Sequence, residues 1–467
     1  MTTSGDSPRF VRVLASKDVL ALAFGAMIGW GWIVMTGNWI VSAGSLGAVT
    51  AFLLGGVAIV LVGLTYAELA AAMPQAGGEH VYSYRGLGHM PSFICTWAIV
   101  LGYMTVVSFE AVALPTVVEN IVPGYSVGYL WTVAGWEVEA TWALVGVVGS
   151  LLMMWVNYIG IRTAALLQKL VTLLIVAVGL LFLTGALFSG ESGNLTPFFT
   201  GESSVAGGIM SVLVMVPFMF VGFDVIPQAA EEIDMPHRDI GRLLVFSVLL
   251  AVFWYAAIIF FTAYVLSPQG IDLDALAVPD AMAAAFSSAW AGKLMVLAGI
   301  AGIITSWNAF YIGGSRAIYA LAKADMLPRA FAKLHPRYNT PTNAILLIGI
   351  VTSLAPLLGR SAMVWLVNAG GLGIVLAYLF VAASFLVLRY REPHMDRPFV
   401  VPAGKLVGIV AFVLSIALIM LYMPTSPSAL APVEWAIFGA WMLGGAAMYG
   451  WARVRYGLHA PDSSVQT

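Results

Sequence analysis

Residues 18–42 read DVLALAFGAMIGWGWIVMTGNWIVS, an apolar run with Gly25-Ala-Met-Ile-Gly29-Trp-Gly31 at its centre. Its length suits a bilayer core, which takes ~20 apolar residues in a helix, but the centre is one that a plain spanning helix avoids. Glycine costs about 1 kcal/mol in a helix interior and proline about 3 kcal/mol. In lipid, every backbone group freed by a break needs a partner from protein or ligand. A second apolar run has the same property, at Pro217-Phe-Met-Phe-Val-Gly222-Phe.

Around these two runs the chain is lipid-soluble nearly throughout. Of its 467 residues 61% are hydrophobic and 9% charged, with a mean hydropathy of +0.93, far from the balance of a soluble domain. Twelve apolar stretches are read, at 18–42, 46–72, 91–117, 140–160, 164–189, 206–231, 241–266, 292–322, 342–358, 361–390, 404–424 and 433–455. They are too long, and too evenly apolar, for barrel strands, so the fold class is an all-α membrane protein. The polar, basic start and the long first stretch are read as a first span and not as a cleaved signal.

With the amino terminus placed inside, all of the 21 Lys and Arg except Lys293 and Arg360 fall at or near cytoplasmic ends. Glu119, Glu137, Glu139, Glu191, Glu202, Asp272, Asp274 and Glu434 fall in outer loops. This obeys the positive-inside rule and puts both termini in the cytoplasm of a bacterial-type inner membrane. The single cysteine, Cys95, excludes an intramolecular disulfide and a cysteine-cluster metal site.

The broken stretches are the first and the sixth, five apart. Transporters built from two inverted five-helix repeats carry discontinuous helices at corresponding positions and bind substrate where the breaks meet. Half-helix amino ends there attract anionic groups and unwound carbonyls attract cations, which suits a zwitterion. The alternative is that the glycines serve only close helix packing.

Several motifs in order then carry a resemblance: Gly25-x-x-Ile28-Gly29-x-Gly31, Pro74-Gln-Ala-Gly-Gly-Glu-His-Val-Tyr82-Ser-Tyr84, Gly222-Phe-Asp224 with Ala230-Glu231-Glu232, and Asp234-Met-Pro236-His-Arg238. They continue with Gly314-Ser-Arg316-Ala-Ile-Tyr319, His335-Pro-Arg-Tyr-Asn-Thr-Pro341 and Leu388-Arg-Tyr-Arg-Glu-Pro393. Over residues 18 to 400 the chain resembles the amino acid–polyamine–organocation transporter superfamily, nearest in pattern to its cationic-amino-acid-transporter branch and bacterial relatives. The resemblance implies a leucine-transporter-type 5+5 fold, with repeats at about 18–189 and 206–390 and two extra helices within 391–455. Segments 1–17 and 456–467 are then cytoplasmic ends.

The resemblance also implies the site. Substrate carboxylate meets the backbone at Trp30 and Gly31, the amine meets carbonyls of Met27, Phe218 and Val221, and Ile28, Gly29 and Met219 complete the wall. Trp30 departs from the small residue usual in the family, and with Trp32 it is expected to narrow or cap the carboxylate position. An aromatic face also attracts an organic cation, so an amine lacking a carboxylate competes as substrate.

Ionisable groups at depth are few, and each costs at least ~2.5–3.5 kcal/mol to insert, so they are read as interior and functional. Glu110 lies inside the third stretch with Tyr103, Val107 and Leu114 on its helical face. It either holds the substrate amine or carries a proton; the alternative is a buried glutamate bonded to a neighbouring helix. Asp224 is either a gating or proton-coupling group or a cap for the half-helix that it precedes. In proton-coupled relatives a lysine early in helix 5 stands where sodium-coupled ones hold sodium, and Arg162 is placed there, facing Thr305 and Ser306; the alternative is an ordinary positive-inside arginine. Asn308 is expected to reach substrate, or to bond between helices.

No zinc motif, nucleophile elbow or paired cysteine marks an enzyme, and no charged ring or filter loop marks a channel. The expectation is a proton-coupled permease working by alternating access on a small amino acid or an amine derived from one, without cofactor, metal or nucleic acid, as monomer or homodimer. An exchanger and a non-transporting amino acid sensor are the competing classes.

Overall fold

The computed structural model describes residues 9–201, 204–273, 275–426 and 428–457. Glu202 and Asp274, counted above among the acidic outer loops, and parts 1–8 and 458–467 of the two end segments lie outside the described residues. The first half contains α1 (Ser16–Met27), α2 (Gly31–Val34), α3 (Thr36–Ala43), α4 (Ser45–Ala72), α5 (Glu79–Leu87) and α6 (His89–Ile121). A hairpin of β1 (Tyr129–Val133) and β2 (Trp136–Glu139) precedes α7 (Ala140–Tyr158) and α8 (Ile161–Ser189). The second half runs through α9 (Val205–Leu213), α10 (Val216–Phe220), α11 (Val225–Gln228), α12 (His237–Val265), α13 (Ala277–Ala285) and α14 (Ala289–Lys323). It ends with α15 (Thr342–Thr352), α16 (Ala362–Arg391), α17 (Gly404–Leu421) and α18 (Pro432–Tyr456).

Among the described residues, ten helices are long and apolar enough to cross a membrane. The other two stretches read from sequence differ from these. Residues 342–358 form a shorter apolar piece, α15 followed by one 3-10 turn at Ala355–Leu358 that contains Pro356, and 433–455 lie in α18, which carries Glu434, Arg453 and Arg455. The hairpin is a β element in an otherwise helical chain. Its two-residue turn places Ala134 at φ 47° and Gly135 at φ 79°, the positive values that a type I′ turn requires.

The core sits around α6. Of its most apolar 18-residue window 94% is buried, against 28% for that of α17, so α6 is a central post and α17 a peripheral helix. Against α6 pack α14 and α16, α4 packs on α12, and α1 lies against α8, α12 and α14. At Gly302 of α14 a side chain would lie 2.5 Å from the carbonyl oxygen of Gly29, so glycine there is what lets α14 approach the first break.

One end of the bundle is tied by the stretch before α1. The Val13 and Leu14 amides each donate to the Glu232 carbonyl at 2.9 Å, and the Asp234 amide donates to the Leu14 carbonyl at 2.9 Å. Beneath this strap Arg316 of α14 grips the Glu232 carboxylate with Nε and Nη2, both at 2.9 Å, the two side chains being 1% and 2% exposed. Phe10 closes over the pair edge-on to Tyr319, ring centres 5.1 Å apart. The buried Glu68 likewise fastens the end of α4 to Arg389 of α16, to Arg397 and to the Val401 amide.

A charge left alone after removal of its buried partner costs about 3–5 kcal/mol. Glu232→Ala is therefore expected to lower unfolding stability in detergent by that amount, and adding Arg316→Met to recover most of it. Equal loss in the single and double variants would show that Glu232 acts through packing and not through charge.

Candidate functional site

The two glycine-rich runs become backbone breaks. The first helix stops at Met27, Ile28 takes φ −111° and ψ 67°, and helix resumes at Gly31. In the sixth stretch α10 ends at Phe220, Val221 is extended, Gly222 has φ +135°, and α11 starts at Val225. Pro217 lies not in this break but in the first turn of α10, where its missing N–H costs nothing. The breaks touch, since a side chain on Gly222 would lie 2.6 Å from Ala26 Cβ and 2.9 Å from the Met27 nitrogen.

The freed backbone groups are met by side chains, one from another helix and one from the break itself. Tyr255 of α12 donates its hydroxyl to the Met27 carbonyl at 2.9 Å. Asp224 accepts from the Gly222 amide at 2.7 Å and from the Tyr103 hydroxyl at 2.5 Å. It makes no capping bond to α11, so its carboxylate fastens the break to α6 instead of capping the half-helix that follows.

At the meeting point lies a cavity of about 20 Å³. Met27, Gly29 and Gly31 line it from the first break, Phe218, Met219 and Val221 from the sixth segment, and Val106, Phe109 and Glu110 from α6. Tyr255, Ser306 and Phe310 complete it. Such a volume holds about one water, so the helices must part to admit anything larger.

Glu110 is 1% exposed and its Oε2 has no hydrogen-bond partner. The Ser306 hydroxyl and the Trp30 backbone amide face the carboxyl, and a side chain on Gly29 would collide with its other oxygen. A buried carboxyl with an unsatisfied oxygen, aimed into an otherwise apolar cavity, is a receptor for a hydrogen-bond donor, best a charged one. Its cavity neighbours on α6 are Val106 and Phe109, and not the Val107 and Leu114 named from helical spacing.

Other expected residues lie elsewhere. Trp30 turns its ring onto Gly299 of α14 and Trp32 packs edge-on to Trp254 at 5.4 Å, so neither indole caps the cavity. Ile28 is fully buried outside the lining. Asn308 donates to the Ala164 carbonyl at 3.0 Å and to Gln168 Oε1 at 2.9 Å, and accepts from Asn157 at 3.0 Å. It knits α7, α8 and α14 together and does not reach the cavity.

Arg162 is not brought together with Thr305 and Ser306. It is exposed at the start of α8, beside a different cavity of about 270 Å³ shared with Arg337, Tyr338 and the strap residues Val11 and Val13. Facing Thr305 across Gly25 are instead Gln168 and Thr172 of α8, both hydrogen-bonded to the Ala21 carbonyl, at 3.3 and 3.4 Å. The reason is helical rise: Gln168 lies about 9 Å deeper along α8 than Arg162. A neutral amide and a hydroxyl stand where sequence reading placed a fixed cation. Gln168 left one signal, an amide within an apolar run; Tyr255 and Phe310 left none, being aromatic residues among others.

The chain matches the family model "Amino acid permease" over residues 14–447. It is 27% identical to the branched-chain amino acid permease BcaP of Bacillus subtilis, over 90% of this chain and 89% of that one. It is 25% identical to the aspartate-proton symporter of the same organism, over 86% and 78% of the two chains. With mouse cationic amino acid transporter 4 it shares 27% identity over 82% of its own length and 60% of the longer relative. A chain with two touching helix breaks around a buried carboxyl, matched by permeases over most of its length, belongs to the amino acid permease family of the amino acid–polyamine–organocation superfamily, and is a multi-pass membrane transporter of amino-acid type.

Proposed function

We propose that the protein is a proton-coupled secondary transporter for a small amino acid with an apolar side chain, working by alternating access. The observation that carries the reading is the unsatisfied Glu110 carboxyl facing a cavity walled by Val106, Phe109, Phe218, Val221 and Phe310 at the junction of the two breaks. The substrate amine binds Glu110, its side chain lies against the apolar wall, and its carboxylate reaches the backbone at Trp30 and Gly31. In this reading the ten long helices, the α15 region and α18 make twelve spans, in a 5+5 inverted repeat with two further helices. Both termini lie on the cytoplasmic side of an inner membrane, and the unit is a monomer or homodimer.

One observation favours a second substrate class. The Trp30 amide already faces the Glu110 carboxyl, so a substrate carboxylate competes with Glu110 for it, whereas an amine lacking a carboxylate does not. Thermal stabilisation of the purified protein by an aliphatic amino acid, by its decarboxylated amine and by its deaminated acid separates the two. Stabilisation by the amino acid alone is the expected result. Stabilisation by the amine alone would move the assignment to amine transport, and stabilisation by the deaminated acid would remove the amine from recognition.

A further inference from the structure

Behind the second break is another buried polar cluster, one that substrate recognition leaves unused. Glu79, the first residue of α5, is fully buried, and its Oε2 accepts from the Gln228 amide of α11. The Tyr66 hydroxyl is turned to the Glu79 carboxyl, while Gln228 Oε1 and the hydroxyls of Tyr82 and Tyr378 have no partner. Tyr66 stands edge-on to both Tyr82 and Tyr378, with ring centres 6.4 and 5.9 Å away, so α4, α5 and α16 bring three tyrosine rings into one small region. Each unsatisfied buried polar atom costs about 1–3 kcal/mol. Three together, beside a buried carboxyl, mark a chamber for water or a proton.

The groups that face Glu79 narrow the choice. Tyr66 of α4 is turned to its carboxyl, and the Asp224 carboxyl at the break, Tyr103 and Cys95 of α6, Tyr82 of α5 and Tyr378 of α16 lie within electrostatic reach; each is an acid. The adjacent His80 bonds instead to Ser92 at 2.9 Å, and Arg316 is committed to Glu232. Two carboxylates sharing a buried site with no cation do not both ionise. Burial, and after it the Asp224 charge, push the Glu79 carboxyl well above the usual carboxylate range.

Glu79 is also joined to the part of the molecule that must move. Through Gln228 it holds α11, directly beyond Gly222. The same loop is stitched to that segment by the Gly77 amide on the Gln228 carbonyl at 3.3 Å and the Ala76 amide on Glu231 Oε1 at 3.2 Å. Charging the carboxyl strengthens the bond from the Gln228 amide and tightens this lock; neutralising it weakens the bond and loosens the lock.

We propose that Glu79 and Asp224 share one proton in a hydrated chamber lined by Tyr66, Tyr82, Tyr378 and Gln228, a proton-binding site separate from Glu110 that sets the lock between residues 76–79 and α11. The proton comes from and returns to water in the chamber, as Glu79 passes between carboxylic acid and carboxylate. Its part in coupling rests on the transport reading above; the proton site itself does not.

The test is an infrared pH titration of the full-length protein in lipid, read on the carbonyl stretch of protonated carboxyl groups, together with uptake under an imposed pH gradient. Glu79→Gln is expected to remove one protonated-carboxyl band that Glu110→Gln leaves in place, and to lose the stimulation of uptake by an acid gradient. An unchanged set of bands in Glu79→Gln overturns the site, and a lost band with full acid stimulation overturns its part in coupling. If Glu79→Gln does not fold, Gln228→Met keeps the carboxyl but removes a donor to its charged form, and is expected to move the titration of that band to higher pH; no movement overturns the proposal. Wild-type protein without acid-stimulated uptake would refute the proton-coupled transport reading, while the band comparison still decides the Glu79 site.

Discussion

Glu110→Gln is expected to weaken binding of an amine-bearing substrate about ten- to 150-fold and to reduce transport in step, while leaving the fold intact. The carboxyl is the one buried acid lining the cavity among the described residues, and a hydrogen bond to a charged group contributes ~1.5–3 kcal/mol, which converts to that range in Kd. Glutamine keeps the shape and one carbonyl acceptor but not the charge, so the loss reports charge and not volume. Unchanged affinity together with unchanged pH dependence would sink the assignment of Glu110 to the substrate amine.

Gly222→Ala is expected to abolish transport or folding, because two costs fall on one methyl group. At φ +135° an L side chain is strained whatever the space around it, and this one would also press on Ala26 Cβ and the Met27 nitrogen. A substitution incompatible with its backbone belongs to the class that costs upward of about 1 kcal/mol, and steric overlap adds to it. Gly450→Ala in α18 is the control. Nothing lies within 4 Å of a side chain there, and alanine in a helix is preferred by ~1 kcal/mol. If Gly222→Ala matched Gly450→Ala in stability and uptake, the breaks would not be in contact as described.

What was legible in the sequence is what lipid imposes residue by residue. Apolar length marks spans because a bilayer leaves no other option for the backbone, and Gly25–Gly31 and Gly222 mark breaks because glycine at depth is otherwise a cost. Glu110 stood out because a charge in hydrocarbon needs a reason. Sequence could not give the direction in which a side chain turns once a helix unwinds. Trp30 contributes its amide to the site and sends its indole to Gly299, since φ and ψ in a break follow no period that spacing can track.

Depth along a helix was the second limit. Arg162 and Gln168 are six residues apart in α8, and only packing of α8 on α1 shows that Gln168 meets Gly25. The third was partnership across the chain. Glu79 sits in a loop motif, and nothing local to it announces Gln228, 149 residues away, or the tyrosines of α4 and α16. The hairpin, by contrast, had a readable signal in Ala134-Gly135 between two alternating runs, outweighed by the helical composition around it.

Transport itself is the property on which the functional roles assigned above depend. Purified protein in proteoliposomes, offered labelled neutral amino acids, cationic amino acids and small amines under imposed proton or sodium gradients, tests it most directly. Uptake of an apolar amino acid that is driven by an inward proton gradient and indifferent to sodium is the expected result. Binding without uptake would make the protein a sensor, and uptake driven by sodium would contradict the reading of the buried carboxyls on which proton coupling rests.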